Sequence, residues 1–210
     1  MDKIVIVGGG GHAKVIISII RKLNKYEILG YTDFKSKGSL LGIKYLGDDE
    51  VLKEIIKKHN RCCAVIGVGS VDVSNKRKLM KHKLELLGFT LPVIVSPNCI
   101  INENVNIDKA TVIFDGVVIN SYSVIGECAI INTNSTIEHD CFVGNFVHIG
   151  PGAVLAGNVK IGDSSIVGAS ATIITSKNIC SNCIIGAGAV VVSDITLSGI
   201  YGGIPAKILK

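Results

Sequence analysis

Asn132, His139, Asp140 and His148 form the densest polar group in a stretch that is otherwise aliphatic and small. An imidazole with a carboxylate beside it can take a proton from an attacking nucleophile, and the carboxylate orients the ring and strengthens it as a base. His139 and Asp140 are such a pair. Gly157 follows His139 by eighteen positions. A bare backbone next to an imidazole leaves room for a reacting group, and its N–H can stabilise a tetrahedral oxyanion. Alone, His139 would be an exposed surface histidine; with Asp140 and Gly157 it is a candidate general base. His148 suits an interface histidine or a ligand contact equally well. Glu138, next to a core aliphatic, reads as structural.

A second group lies near the start. Gly8-Gly9-Gly10-Gly11-His12 follows the apolar run Lys3 to Val7 and precedes a helical pattern from Ala13 to about Leu23. Gly8, Gly10 and Ala13 fit G-x-G-x-x-A, where backbone approaches a phosphate and a helix N-terminus faces it. A tight turn without ligand is the plainer alternative. Thr32-Asp33 ends the next apolar run and places a carboxylate where ribose hydroxyls are often held. Whether His12 touches a ligand is open. Residues 49–59 and 74–87 read as helices, residues 62–66 and 93–95 as strands, and Gly67-Val68-Gly69-Ser70 as the turn between. His59 and His82 fall in polar helical stretches and read as solvated. This front portion is one mononucleotide-binding half, so NAD is not expected.

The element that positions the first group is a repeat. From Ile101 to Val191 every sixth residue is Ile, Val or Leu without a break. Two positions earlier the residue is usually small, as at Ser123, Ala129, Ser135, Ala153, Ser165, Ala171 and Ala189. This is the hexapeptide signature of a parallel β-helix. Each hexad is a short strand and a bend, three hexads close a triangular coil, and coils stack about 4.8 Å apart. Residues eighteen apart therefore form columns. Gly157 should lie above His139. Pro151, Ala169 and Ala187 should stack just beyond His148 and leave a groove along the axis for a long thin ligand. His139 and His148 lie half a coil apart, so they can meet only if prisms pack side by side, as in a closed threefold ring.

Composition bounds the rest. With 210 residues, 48% of them hydrophobic and none of them Trp, the chain suits a prism filled by Ile and Val. No segment reads as a transmembrane helix or signal peptide, and seven cysteines without such a signal point to a reducing cytoplasm. Cys99, Cys141 and Cys183 take the small inward position and read as core fillers. Cys180-x-x-Cys183 lacks a second ligand pair, which favours packing over a metal or redox site. The histidines form no three-ligand set, so no metal is expected. A net charge of +5 favours anionic ligands such as nucleotides, but no basic cluster argues for nucleic acid.

Four motifs together resemble one family. They are Gly8-Gly9-Gly10-Gly11-His12, the segment from Asn132-Thr133 to His139-Asp140, Gly157-Asn158-Val159-Lys160-Ile161-Gly162, and Gly203-Ile204-Pro205-Ala206-Lys207. They resemble the sugar O-acyltransferase, sialic-acid O-acetyltransferase-like family, and most of all its bacterial nucleotide-sugar 4-N-acetyltransferases of the bacillosamine-pathway type. The resemblance implies a left-handed β-helix, a homotrimer with sites between subunits, and acetyl-CoA as donor. It implies His139 as general base strengthened by the next acid, often Glu and here Asp140. Gly10, Gly11 and His12 would hold the nucleotide-sugar phosphates, Thr32 and Asp33 the uracil or ribose end, and Gly67 would lie against the nucleotide. Asn132 would face the sugar amine. His148, Ala169 and Ala187 would contact acetyl-CoA, with the Gly157 amide near the thioester.

The expected architecture is α/β plus all-β: a small Rossmann-like nucleotide-sugar-binding domain over residues 1–95, then a left-handed parallel β-helix of hexapeptide repeats over 96–210. The expected activity is acetyl transfer from acetyl-CoA to the 4-amino group of a nucleotide-linked 4-amino-4,6-dideoxy sugar, with UDP as carrier. The alternatives are O-acetylation of sialic acid or another sugar, and a non-catalytic scaffold or sugar-nucleotide sensor.

Overall fold

A computed structural model describes residues 1–59, 61–70 and 72–209. It divides into two compact units, Met1–Gly69 with Asn75–Pro97, and Ser70–Ser74 with Asn98–Lys210.

The first unit follows from an apolar strand with a partner on each side. β1 (Asp2–Val7) is followed by α1 (Gly11–Leu23), β2 (Tyr26–Thr32), β3 (Tyr45–Gly47), α2 (Leu52–Lys58), β4 (Cys62–Ile66), α3 (Lys76–Leu86) and β5 (Ile94–Val95). The first four strands pair in the order β3-β2-β1-β4, all parallel. β1 is central, and Ile4, Val5, Ile6 and Val7 are fully buried, as a strand covered on both faces requires. α1 buries Ala13, Ile16, Ile17, Ile19 and Ile20. It stops at Asn24, whose left-handed backbone (φ 50°) lets its N–H donate to the Arg21 carbonyl, while Arg21 and Lys22 suit the negative end of the helix dipole.

Three details depart from the sequence reading. β3 was not expected; its three residues carry no periodicity, and only pairing with β2 makes them a strand. The helix expected over 49–59 is a 3-10 turn at Asp49–Val51 followed by α2. The Asp48 side chain accepts from the Glu50 N–H and opens that turn. His59 is half-buried rather than solvated, because the chain after α2 returns to β1 and sets its Nδ1 3.2 Å from Lys3 Nζ. Burial, then Lys3 and Lys58, push its pKa down.

The second unit is the left-handed β-helix of hexapeptide repeats. Two-residue parallel strands stack in three sheets with partners eighteen apart: Val124 with Phe142, Ile130 with His148, Thr136 with Val154. The repeated aliphatics point inward, and Ile119, Ile125, Ile131, Ile137, Val143, Ile149, Leu155 and Ile161 are fully buried. The small residues lie inside beside them. Ser123, Ser135 and Ser165 are buried and satisfied; Ser123 Oγ donates to the Glu138 carbonyl and accepts from the Cys141 N–H in the next coil. Cys141 and Cys183 are buried fillers as expected, whereas Cys99 is half-buried.

Every bend uses a left-handed residue, from Asn104 through Asn134, Asp140 and Asn158 to Asn182. Asn, Asp and Gly take that conformation most readily. Tyr122 (φ 63°) and Phe146 (φ 57°) hold it too and must be kept there by the stack. Ile200–Gly202 extends one sheet beside Ile184–Ile185, and Lys207–Ile208 pairs back on it antiparallel. Among the described residues no helix is long and apolar enough to cross a membrane.

Candidate active site

The hexad places His139 at a bend, two residues past buried Ile137 and just before the left-handed Asp140. Its side chain is 62% exposed. The left-handed turn brings the next carboxylate alongside, and His139 Nδ1 lies 2.8 Å from Asp140 Oδ2. A carboxylate only accepts, so the proton sits on Nδ1 and the Nε2 lone pair is open. The shorter acid therefore reaches the ring without difficulty.

Gly157 stands where the column rule puts it. A β-carbon built there would lie 2.7 Å from both Cε1 and Nε2 of His139. No left-handed φ demands glycine at this position; the imidazole does. Stacking holds the two together, since Asn158 N–H donates to the His139 carbonyl at 2.9 Å and Ser176 N–H to the Gly157 carbonyl at 2.9 Å. Among the described residues the Gly157 N–H donates to no main-chain carbonyl.

A second cluster surrounds His148 in a different sheet. His148 Nδ1 lies 2.7 Å from the Ser70 carbonyl and Nε2 3.1 Å from Asn132 Nδ2. The carbonyl can only accept, so Nδ1 carries the proton and Nε2 accepts from the amide. Asn132 is held at its other end as well, its Oδ1 accepting from Thr133 N–H at 2.8 Å. One amide hydrogen of Asn132 is left to present. The sequence does not single out Ser70 for this role, because the contact joins positions 78 apart. Glu138, by contrast, ends a ladder that the eighteen-residue rule could have shown: Asn102 Nδ2 donates to Asn120 Oδ1, and Asn120 Nδ2 to Glu138 Oε2.

Pro151, Ala169 and Ala187 are exposed and stacked, Ser170 N–H donating to the Pro151 carbonyl and Gly188 N–H to the Ala169 carbonyl, each at 2.8 Å. A β-carbon at Gly150 or Gly168 would strike the Ala169 or Ala187 amide at 2.8 and 2.6 Å. Coils are in close contact there, and the outer strip is bare enough to take an extended pantetheine-like arm.

In the first unit the glycine turn joins the carboxyl ends of β1, β2 and β4. Gly8 N–H donates to the Thr32 carbonyl and Gly9 N–H to Asp33 Oδ2, both at 2.8 Å. Gly67 is packed so tightly that a β-carbon would lie 2.7 Å from the Gly8 carbonyl. Gly10 and Gly11 are exposed, with open space where β-carbons would stand. They are the first-turn backbone that a phosphate can approach. His12 is half-buried, facing the loop after β4. Thr32 is buried, and its hydroxyl donates to Asp49 Oδ1 at 2.7 Å, so Asp33 rather than Thr32 presents its side chain at this edge.

Burial pushes Cys62 and Cys141 up to about 11, and burial with the neighbouring Cys180 pushes Cys183 up to about 12. Cys180 and Cys183 are free thiols with sulfurs 3.4 Å apart. Among the described residues no three His, Cys, Asp or Glu side chains gather as a metal set would require.

Residues 3–82 match the PglD N-terminal domain, and residues 140–175 match the bacterial transferase hexapeptide (six repeats). A variant of GDP-perosamine N-acetyl transferase from Caulobacter crescentus, in complex with CoA and GDP-perosamine, is similar at 32% identity. That match covers 100% of this chain and 98% of the other at a TM-score of 0.92. The acetyltransferase domain of PglB from Neisseria gonorrhoeae, in complex with acetyl coenzyme A, is also 32% identical, covering 99% and 98% at a TM-score of 0.91. WeeI from Acinetobacter baumannii shares the fold at 24% identity and a TM-score of 0.80, covering 100% of both chains.

Proposed function

The chain belongs to the nucleotide-sugar N-acetyltransferases of the bacillosamine and perosamine type, and from that premise we propose that it acetylates the 4-amino group of a nucleotide-linked 4-amino-4,6-dideoxy sugar. The donor is acetyl-CoA. Residues 1–95 bind the nucleotide end of the acceptor and residues 96–210 carry out the transfer. The resemblance puts UDP first among the carriers.

The observation that carries the reading is the corner where the His139 ring, with Asp140 on its Nδ1, packs its Nε2 side against the bare α-carbon of Gly157. The acceptor amine attacks the thioester carbonyl. His139 Nε2 takes the amine proton as the new C–N bond forms, and Asp140 steadies the imidazolium through Nδ1. The Gly157 N–H donates to the carbonyl oxygen while it bears charge. The C–S bond then breaks, and the proton held by His139 goes to the departing thiolate. An uncharged amine is already a good nucleophile, so no acyl-enzyme is required, in keeping with the Cys141 and Cys183 thiols, which burial pushes up.

Asn132, fixed by His148 and Thr133, directs its remaining amide hydrogen toward the sugar. Its partner His148 acts partly by holding it, besides lying at the edge of the Ala169 and Ala187 strip that takes the CoA arm. Gly10, Gly11 and His12 receive the diphosphate, Asp33 the ribose, and Gly67 closes the turn against the nucleotide. We place the complete site between subunits of a homotrimer, because His139 and His148 occupy different stretches of the coil. Sedimentation should then give three times the 22.1 kDa chain mass.

The test is acetyl-CoA consumption against a panel of nucleotide-linked 4-amino sugars, with free sialic acid as O-acceptor control. Turnover with an amino-sugar nucleotide and none with sialic acid is expected. Turnover with sialic acid alone would establish the O-acetyl reading, and no binding of acetyl-CoA in a calorimeter would leave a scaffold or sensor.

A further inference from the structure

Two thiols in the second unit lie away from the acetyl-transfer chemistry. Cys180 follows the strand Asn178–Ile179, and Cys183 precedes the strand Ile184–Ile185. His139 and Gly157 lie on the bends after Ile137 and Leu155, at another corner of the prism.

The eighteen-residue columns show what each cysteine replaces. Cys183 stands in the column of Ser165 and does what that serine does. Ser165 Oγ donates to the Cys180 carbonyl at 3.1 Å, and Cys183 Sγ to the Leu197 carbonyl at 3.6 Å. Packing, which the sequence favours for this pair, accounts for Cys183, which is fully buried. Cys180 is different, because it stands in the column of Gly126, Gly144 and Gly162. In those coils a β-carbon would lie 2.8, 2.8 and 2.5 Å from the Asn145, Asp163 and Ser181 nitrogens. Above Cys180 the chain returns as Asp194–Thr196, with Cys180 N–H donating to the Ile195 carbonyl at 2.8 Å. An open cavity of about 470 Å3 is left there, and Cys180 lines it together with Phe142, Lys160 and Asp194. The column needs no side chain at this position, so packing does not account for the thiol.

The bend then brings the sulfurs together. Asn182 takes the left-handed conformation (φ 60°) and turns the chain, and the two free thiols lie 3.4 Å apart. A disulfide bond is about 2.05 Å long, so closing one asks for a movement on the order of 1 Å. Half-buried Cys180 faces the cavity, so a small reagent meets it first. Burial, then Cys180 itself, pushes the Cys183 thiol up to about 12, which keeps it from attacking first.

We infer that Cys180 and Cys183 form a reversible redox pair, Cys180 attacking and Cys183 resolving, whose oxidant is a small-molecule disulfide of the glutathione type. The Cys180 thiol gives its proton to water, and its sulfur attacks one sulfur of the reagent. A mixed disulfide forms, and one reagent thiolate leaves. Cys183 then gives up its proton and attacks Cys180 Sγ. The second reagent thiolate leaves as the intramolecular disulfide closes. The two departing thiolates take up the two protons. Two cysteine sulfurs are oxidised, and the reagent is reduced to two thiols.

The test incubates the reduced full chain with oxidised glutathione in native buffer, blocks remaining thiols by alkylation and maps the peptides by mass spectrometry. A link between Cys180 and Cys183, no retained glutathione and full reversal by dithiothreitol are expected. Of the seven free thiols, two should be lost to titration. Cys183→Ser should instead trap glutathione on Cys180, because the second thiol is missing. That variant keeps the column packed, since serine already fills the equivalent place at Ser165. Cys180→Ala should leave Cys183 unmodified. Glutathione retained on Cys180 of the unsubstituted chain would overturn Cys183 as the resolving thiol. Glutathione on Cys183 in the Cys180→Ala variant would overturn the order of attack. A link that appears only after unfolding in urea would reduce the pair to packing.

Discussion

In the coils, Gly157 meets His139 because eighteen positions separate them; in the α/β unit, Gly9 meets Tyr31 and Asp33 because strands pair in an order that sequence position does not state. Both glycines are fixed by sterics, since a β-carbon at Gly9 would lie 2.6 Å from the Tyr31 ring. A solenoid turns sequence distance into spatial distance, so one count yields a neighbour. An open sheet does so only after its topology is known.

Substitutions can press on that contrast. His139→Ala should cut turnover by roughly two to four orders of magnitude while leaving nucleotide affinity unchanged, the mark of a lost general base. Initial rates and calorimetry on the same preparation check it, and near-normal turnover would remove His139 from the chemistry. Gly157→Ala should displace the imidazole and lower kcat by up to about a hundredfold, in line with a displacement on the order of 1 Å. Its thermal stability should hold, because the exposed ring can swing aside; a large fall in Tm with unchanged kcat would contradict the assignment.

Gly9→Ala should have the reverse signature, a loss of about 1–3 kcal/mol of stability from overpacking. Tyr31 cannot yield cheaply, since it is fully buried and its hydroxyl donates to the Gly38 carbonyl and accepts from the Lys37 N–H. Denaturant melts of the variant measure this. Last and smallest, Tyr122→Asn should stabilise the coils by roughly 1 kcal/mol, because asparagine tolerates the left-handed bend better. A melt that moves downward would show that the exposed ring contributes more packing than strain.

Legibility differed by the same logic. The hexad phase placed the aliphatic core, the small inward positions and the His139 column, and the coordinates follow all three. The left-handed bends went unread, although the Asn, Asp, Ser and Gly common at those positions were a usable signal. In the α/β unit the glycine turn and its flanking strand and helix were legible, because strand, turn and helix are contiguous. β3 was not, since three residues carry too little period to register. The half-buried state of His59 was also hidden, because it depends on where α2 returns to β1.

Sequence alone determined what repeats and what is adjacent: a three-sided stack, an imidazole with its carboxylate in the next residue, and a glycine turn between a strand and a helix. Those are local or periodic properties, and the physics that sets them acts within a few residues or within one coil. Tertiary structure decided which atoms of those groups stay free. Asp140 claims Nδ1 and leaves Nε2 open, Ser70 and Asn132 occupy both nitrogens of His148, and Thr32 spends its hydroxyl on Asp49. Hydrogen-bond capacity is small and is consumed by whichever partner the fold brings closest, and distant partners are invisible until the chain has closed on itself.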